Sequence, residues 1–588
     1  MSTLPETMAA AVQAHQAGAF DQAIRLYETI LATDPRHAEA WHLLGVACHQ
    51  LGNNAAALQW LQGAIQLNAS QSKYFYNLGV VLQAEGQSEQ ACTAYEQALA
   101  LNPQESAARN NLANIAKDLG QFGRAEHQLR HLLTADSRWP GWLQRLGETL
   151  KMQGRVPEAI AVLRTELLLD PGNAQLHSKL LFALQYLPGI SLASLAHEHK
   201  AWAARHEAPL AGLQTRFPHL DKNPDRPLRL GFLSPDLFYH PVSMFLTPLL
   251  ERLNRNQFHV TCYASGGRRD ALSERLARAC STWREVGDTP DDPLCHQIQA
   301  DGIDILFDLA GHTDFNRLPV FVRKPAPLQI SWAGYVGTTG LDAMDYLLAD
   351  AYHVPESAEP FYSEQILRLP AGYIGYEPPS YAPEPAPLPL LTRGHATFGS
   401  LNNPTKFTTE TVACWSEILR KVPGSVLLLK YKGCDELATA ARLRAEFAQQ
   451  GIDASRIDLR GNTTHIEHLQ VYRELDLALD PFPYSGGITT CETVWMGVPV
   501  VTWPGETFAS RHSLSHLTNA GCWETIAQDR DHYIRLAVDL ANNPERLTEL
   551  RASLRPRMAA SPLCDAAGYA AAFEAQLRTV WRQWCQQG

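Results

Sequence analysis

Residues 475–517, LDLALDPFPYSGGITTCETVWMGVPVVTWPGETFASRHSLSHL, decide how the chain folds. Leu475–Leu479 is an apolar run short enough for a buried strand, and Asp480, Pro481 and Pro483 break it. Gly486 and Gly487 allow a tight turn, and Thr489-x-x-Glu492 has the spacing of a capping box that opens a helix. That helix is expected to end at Gly497, with Val498–Thr502 as the next strand before Pro504 and Gly505. Strand, glycine turn, helix N-terminus and strand make half of a nucleotide-binding α/β unit. First-turn N–H groups lack partners within the helix, and the helix dipole adds partial positive charge, so an anionic phosphate can sit there. Any parallel α/β domain has such turns, so spacing alone leaves phosphate binding open.

The chain has 588 residues, enough for about three to four domains. Its formal net charge of −11 leaves no basic footprint for nucleic acid or an anionic membrane. Eleven cysteines lie scattered without a Cys-x-x-Cys pair, which indicates neither a zinc site nor a disulfide framework. The N-terminal residues lack a basic and an apolar region in succession, and no apolar run reaches the roughly 20 residues of a membrane helix. These features point to a cytoplasmic protein without membrane or nucleic-acid partners.

Residues 1–188 repeat with a period of 34: Gly18, Gly52, Gly86, Gly120 and Gly154 form one row. Ala23, Ala57, Ala91, Ala125 and Ala159 form a second; Leu44, Leu78, Leu112, Leu146 and Leu180 a third. Asp34, Asn68, Asn102, Asp136 and Asp170 form a fourth. This is the tetratricopeptide pattern of two antiparallel helices per repeat, with Gly at the turn and Ala at the close packing. Such an array offers a concave groove for protein or peptide, or serves as a structural platform. Asn77, Asn110 and Asn111 fall on first helices, where an amide either bonds a bound peptide backbone or packs repeat on repeat.

After a helical linker (189–226), residues 227–376 read as a first α/β half. Its strands are expected at Leu228–Leu233, Val260–Ala264, Ile303–Leu309, Leu328–Trp332 and Tyr346–Ala349. His240, His312 and the Gly334–Gly340 loop fall at strand ends, where such sheets bind ligands. A Pro-rich linker (377–392) leads to a second half (393–545), with strands at Thr397–Leu401, Val426–Lys430 and Ile457–Arg460. Lys406 follows the first of these directly. Residues 546–588 end in an amphipathic helix, Ala566–Trp584.

Several long blocks resemble the O-linked N-acetylglucosamine transferase family, glycosyltransferase family 41 with its SPINDLY branch. They are FPYSGGITTCE (482–492), WMGVP (495–499), PGETFASR (504–511) and KPAPLQISWAGYVGTTGLDAMDY (324–346). Asp236-x-x-x-His240-Pro resembles the family's catalytic-domain histidine motif, and DLAGHT (308–313) the SPINDLY form of its third strand. The resemblance implies a GT-B architecture, two Rossmann-like halves facing a cleft, with the last helix crossing back to the first half. It makes His240 a general base or an orienting group, and Lys406 the cation on the leaving diphosphate. Asn403, Gly487, Thr489, Thr490 and Glu492 match donor-binding positions, and His468 a ribose- or base-contacting histidine. His312, His465 and Arg511 are further candidates; His465 stands where animal enzymes carry Lys, and Ile488 where they carry His.

The implied activity is inverting, metal-independent transfer of GlcNAc from UDP-GlcNAc to Ser or Thr hydroxyls of proteins bound along the repeat groove. Neither a metal nor another cofactor is called for by the resemblance. The SPINDLY-like GGITTCE block keeps open a protein O-fucosyltransferase using GDP-fucose. A tetratricopeptide scaffold with an inactive transferase domain, or transfer to a small molecule, are the remaining alternatives.

Overall fold

The computed structural model describes residues 3–135, 141–218 and 220–587. The chain divides into two compact units, residues 1–149 with 436–438, and residues 150–435 with 439–588.

The first unit is built of antiparallel helix pairs, from Leu4–Gln16 and Phe20–Thr33 through Ser106–Leu119 and Phe122–Ala135 to the start of Trp142–Met152. The period of 34 has a physical cause at each row. Gly18, Gly52, Gly86 and Gly120, like Gly154 beyond them, have φ between 72° and 81°, where a side chain strains the backbone. Ala23, Ala57, Ala91 and Ala125 are fully buried where paired helices touch. Asp34, Asn68 and Asn102 each terminate the second helix of their repeat, as Asp170 does in the second unit. Asp136, the remaining member of that row, lies outside the described residues.

The second unit opens with the helices Val156–Leu169, Ala174–Leu184 and Leu192–His206. Leu176, Leu180 and Leu184 share a core with Leu233, Ile298, Leu306 and Phe321 of the α/β region, so these helices pack directly on the first sheet. That sheet has seven strands: β1 Leu228–Ser234, β2 Phe258–Ala264, β3 Thr282–Glu285, β4 Ile305–Asp308, β5 Leu328–Ser331, β6 Tyr346–Ala349 and β7 Gln365–Arg368. They are ordered β3-β2-β1-β4-β5-β6-β7, and every pairing is parallel. The sequence reading omitted β3 and β7. Both are edge strands with partly exposed, mixed polar residues, so they lack the apolar run that marks a strand buried on both faces.

The second sheet comprises β8 Thr397–Ser400, β9 Val426–Lys430, β10 Ile457–Arg460, β11 Leu477–Leu479 and β12 Val500–Val501, ordered β10-β9-β8-β11-β12 and again parallel. The chain is therefore a helical repeat array followed by a GT-B-type pair of doubly wound halves. The final helix, Ala566–Gln587, packs back on the first half: Phe573 stacks on Phe307 at 5.5 Å, and the Arg226 guanidinium lies 4.6 Å over Trp581.

In each sheet strand order reverses once, between β1 and β4 and between β8 and β11. A crevice opens beyond the carboxyl ends of the strands at such a reversal, because successive connections leave on opposite faces. The loops at the two reversals are Pro235–His240 with Leu309–Phe315, and Leu401–Lys406 with Asp480–Gly487.

Candidate active site

Residues from both reversals line one cleft of about 680 Å³, including His240 from the first half and Asn403, Lys406, Gly487 and Thr489 from the second. Each has a local reason to be there. His240 caps the helix Pro241–Leu250, with its Nδ1 3.4 Å from the Val242 amide. Asp236 Oδ2 lies 3.9 Å from the same nitrogen. Burial lowers the His240 pKa to about 4 and raises that of Asp236 to about 6, so the imidazole is neutral near pH 7.

Lys406 ends the short helical turn Pro404–Lys406 after β8. Its Nζ donates to Ser485 O at 2.7 Å and Asn402 Oδ1 at 3.2 Å, and lies 4.4 Å from the centroid of Tyr484. Burial pulls its pKa down to about 8, only partly opposed by Asp480. Asn402 Oδ1 also accepts from Thr489 Oγ1 at 3.1 Å, so one amide ties the lysine to the helix that follows the glycine turn.

That helix is Ile488–Trp495, preceded by Gly487 as its cap. The expected capping box does not form. Thr489 already lies inside the first turn, so its hydroxyl is free to reach Asn402, and Glu492 turns away from the helix start. Glu492 instead receives His465 Nε2 at 2.8 Å, with His468 Nε2 3.7 Å from its other oxygen. Tyr381 OH lies 2.7 Å from His465 Nδ1 and 3.4 Å from Tyr239 OH. His465, His468 and Glu492 thus form a polar group next to the same helix, reached from the first half by Tyr239. Burial lowers the His468 pKa to about 4.

Other candidates are placed differently. His312 is fully buried; its Nδ1 meets Ser178 Oγ at 2.9 Å and its Nε2 the Thr339 carbonyl at 2.7 Å. It clamps a repeat helix to the first half, and its neighbours Thr313, Asp314 and Phe315 line the cleft in its stead. Thr490 points behind the helix, its hydroxyl 2.7 Å from Ser513 Oγ. The Arg511 guanidinium is held by the carbonyls of Tyr352 and Gly505 rather than by the cleft. Asn403 borders the cleft, but its Oδ1 accepts from Thr405 N and Oγ1. In the repeat array, Asn77 meets His42 at 2.7 Å, Asn111 donates to Tyr95 OH at 3.2 Å and Asn110 accepts from Arg145, so the array's own packing uses all three amides.

Sequence reasoning passed over Asn402, Tyr484 and His512, which also line the cleft. Tyr484 stacks at 4.7 Å on Tyr186 and forms the platform under Lys406. Its signal was position: it lies in the loop leaving β11, two residues before Gly486.

A family model described as Glycosyl transferase family 41 matches residues 179–377 and 391–573. Tetratricopeptide-repeat models match stretches between residues 14 and 174. The chain is 34% identical over 425 residues to a probable UDP-N-acetylglucosamine–peptide N-acetylglucosaminyltransferase SPINDLY of Arabidopsis thaliana, covering 71% of this chain and 46% of that protein. The Petunia hybrida protein of the same name is 35% identical over 426 residues, 71% of this chain and 45% of that protein. The chain spans about half the length of the curated relatives it matches. Among solved structures, a Thermobaculum terrenum O-GlcNAc transferase mutant superposes with a TM-score of 0.81 at 33% identity, covering 88% of this chain and 99% of that one. The family model accounts for well over half of the chain, and the chain belongs to glycosyl transferase family 41.

Proposed function

We propose that the chain is a protein glycosyltransferase that moves GlcNAc from UDP-GlcNAc to Ser or Thr hydroxyls, with inversion at the sugar carbon. The observation that carries this reading is Lys406, a buried cation on the cleft wall whose bonded partners are neutral. A nucleoside diphosphate gains negative charge as the glycosidic bond breaks, and a fixed cation at that point lowers the barrier. The N-terminus of Ile488–Trp495 adds its partial positive charge, so the diphosphate can be neutralised without a metal ion.

His240 faces the same cleft from the opposite half. A hydroxyl is a weak nucleophile, and a neutral imidazole can take its proton as the oxygen attacks. The proton passes to His240, the sugar carbon to the acceptor oxygen, and the bonding pair to the departing diphosphate. The repeat array supplies a binding surface for acceptor proteins.

The names of the SPINDLY relatives and of the Thermobaculum protein support a GlcNAc donor. One feature favours GDP-fucose as a second reading. Glu492 sits on the helix whose first turn lines the cleft, with one carboxylate oxygen on His465 and the other 3.7 Å from His468, and guanine offers N–H donors that suit a carboxylate better than uracil does. Incubation of the protein with each nucleotide sugar and a protein acceptor, read by intact mass, separates the two. GlcNAc addition from UDP-GlcNAc supports the first reading; fucose addition alone replaces it; no addition from either overturns both.

A further inference from the structure

A second buried polar cluster reaches the cleft from behind. Asp350 and His353 follow β6 in the first half; His512, Ser515 and His516 belong to the helix His512–Asn519 of the second. Asp350 Oδ2 accepts from His353 Nδ1 at 3.0 Å and from Ser515 Oγ at 2.6 Å. His353 Nε2 lies 2.9 Å from His512 Nδ1. The carboxylate–imidazole–imidazole chain therefore crosses from one half to the other and ends on His512, which lines the cleft with Lys406 and Tyr484. All three residues are almost wholly buried.

The contacts restrict where protons can be. Burial pushes the Asp350 carboxyl up, but His353 and Ser515 outweigh that and hold it below the usual range, so it is ionised and His353 Nδ1 carries hydrogen. Two facing ring nitrogens at 2.9 Å share one proton, since two lone pairs or two hydrogens would repel. Two arrangements satisfy this. With both rings neutral, His512 donates from Nδ1 to His353 and leaves a lone pair on Nε2. With one proton more, His353 is an imidazolium donating to both neighbours, and His512 carries its hydrogen on Nε2. Nε2 of His512 has no hydrogen-bond partner among the described residues, whereas Nδ1 has both His353 and, at 3.3 Å, Tyr373 OH.

We propose that Asp350, His353 and His512 form a proton relay that makes His512 a hydrogen-bond donor to the diphosphate of a nucleotide bound in the cleft. This rests on the reading of the cleft as a nucleotide-donor site. One proton comes from solution and ends on His353, beside Asp350; the hydrogen of His512 moves from Nδ1 to Nε2, and no other bond changes. His512 would touch the ligand, while His353 and Asp350 act through it as positioning residues. Burial, His353, His516 and Lys406 all oppose a second proton on His512, so the added proton rests on His353 beside Asp350. The diphosphate reverses that local field. Tyr373, Phe508 and His516 pack on the His353 ring, the Arg511 charge is attracted to Asp350, and Asp350 is the carboxylate that bonds the group.

The test is calorimetric titration of UDP and GDP into the full chain near neutral pH, in buffers of different ionisation enthalpy. Wild type is expected to take up about one proton per nucleotide bound. Lys406, with a pKa of about 8, contributes only about a tenth of a proton at pH 7. In His353→Gln and Asp350→Asn the uptake is expected to fall toward zero and affinity to drop roughly tenfold. His512→Asn provides a third comparison, and any variant that keeps the wild-type melting transition is decisive. Binding to wild type without proton uptake, or unchanged uptake in a folded variant, overturns the relay alone. Absence of binding by either nucleotide overturns the donor-site reading and the relay with it.

Discussion

Lys406 donates to the carbonyl of Ser485 at 2.7 Å, so the cation that ends one strand loop is anchored on the glycine turn that ends its neighbour. No carboxylate forms an ion pair with it among the described residues, and Asn402, a carbonyl and the Tyr484 ring hold it instead. A buried cation held by neutral groups costs desolvation and gains most when an anion arrives.

Replacing Lys406 with Ala should therefore separate activity from stability. Transfer is expected to fall roughly 100- to 1,000-fold, as when a fixed transition-state charge is removed. The melting temperature should hold or rise, because an unpaired buried cation is lost. Steady-state kinetics beside thermal denaturation check both; a large loss of stability would show the lysine to be structural.

The pH profile should carry the same signature. With a pKa of about 8, Lys406 loses its charge well below the usual lysine range, so kcat/KM should decline through pH 8. The stability effect has the opposite sign. The desolvation penalty is present below pH 8 and is relieved between about 8 and 10.5, where the unfolded chain holds more protons. On the acid side, His240 titrates at about 4, so its protonation should not depress kcat/KM near the ordinary histidine pKa of 6.5. An acid limb at 6.5 that disappears in His240→Asn would contradict this.

Acid should also unfold the second unit early. His199 and His516 are fully buried, and burial lowers their pKa values to about 4 and about 3. Above pH 6.5 they are neutral in both states and add no pH dependence. As pH falls below 6.5 the unfolded chain takes protons that the native one refuses. Each then removes up to about 1.4 kcal/mol of stability per pH unit until its folded pKa is reached. Denaturant titrations at pH 7 and pH 5 measure the difference, and Phe at position 199 should reduce it.

The last helix is held by apolar burial beside charged contacts such as the Arg582–Asp225 ion pair at 2.6 Å. Trp581 and Phe573 are fully buried against the first half. Trp581→Ala is expected to cost about 3–5 kcal/mol, read from chemical denaturation, because it removes a fully buried ring and leaves a cavity.

The parts legible in the sequence are those with a periodic or local cause. Glycines that must adopt positive φ and alanines that must sit between helices recur every 34 residues, so the repeats declare themselves. Strands such as β6 and β9 are buried runs bounded by breakers, and their limits were read to the residue. The helix start at Ile488 was misjudged because Thr489 and Glu492 have capping-box spacing, while their side chains are claimed by Asn402 and His465 from distant segments. His312 shows the converse: a strand-end histidine in a family-like block, yet Ser178 and the Thr339 carbonyl occupy both its nitrogens. Asn402 and His512 owe their place in the cleft to long-range contacts, which no local pattern records.

The most direct measurement is thermal unfolding of wild type and Lys406→Ala with UDP, GDP and their sugars. A ligand at 100 times its dissociation constant should stabilise the folded protein by about 2.7 kcal/mol. A clear upward shift with UDP that is lost in Lys406→Ala is the predicted result. An equal shift in both proteins, or none with any nucleotide, would contradict a diphosphate site built around Lys406.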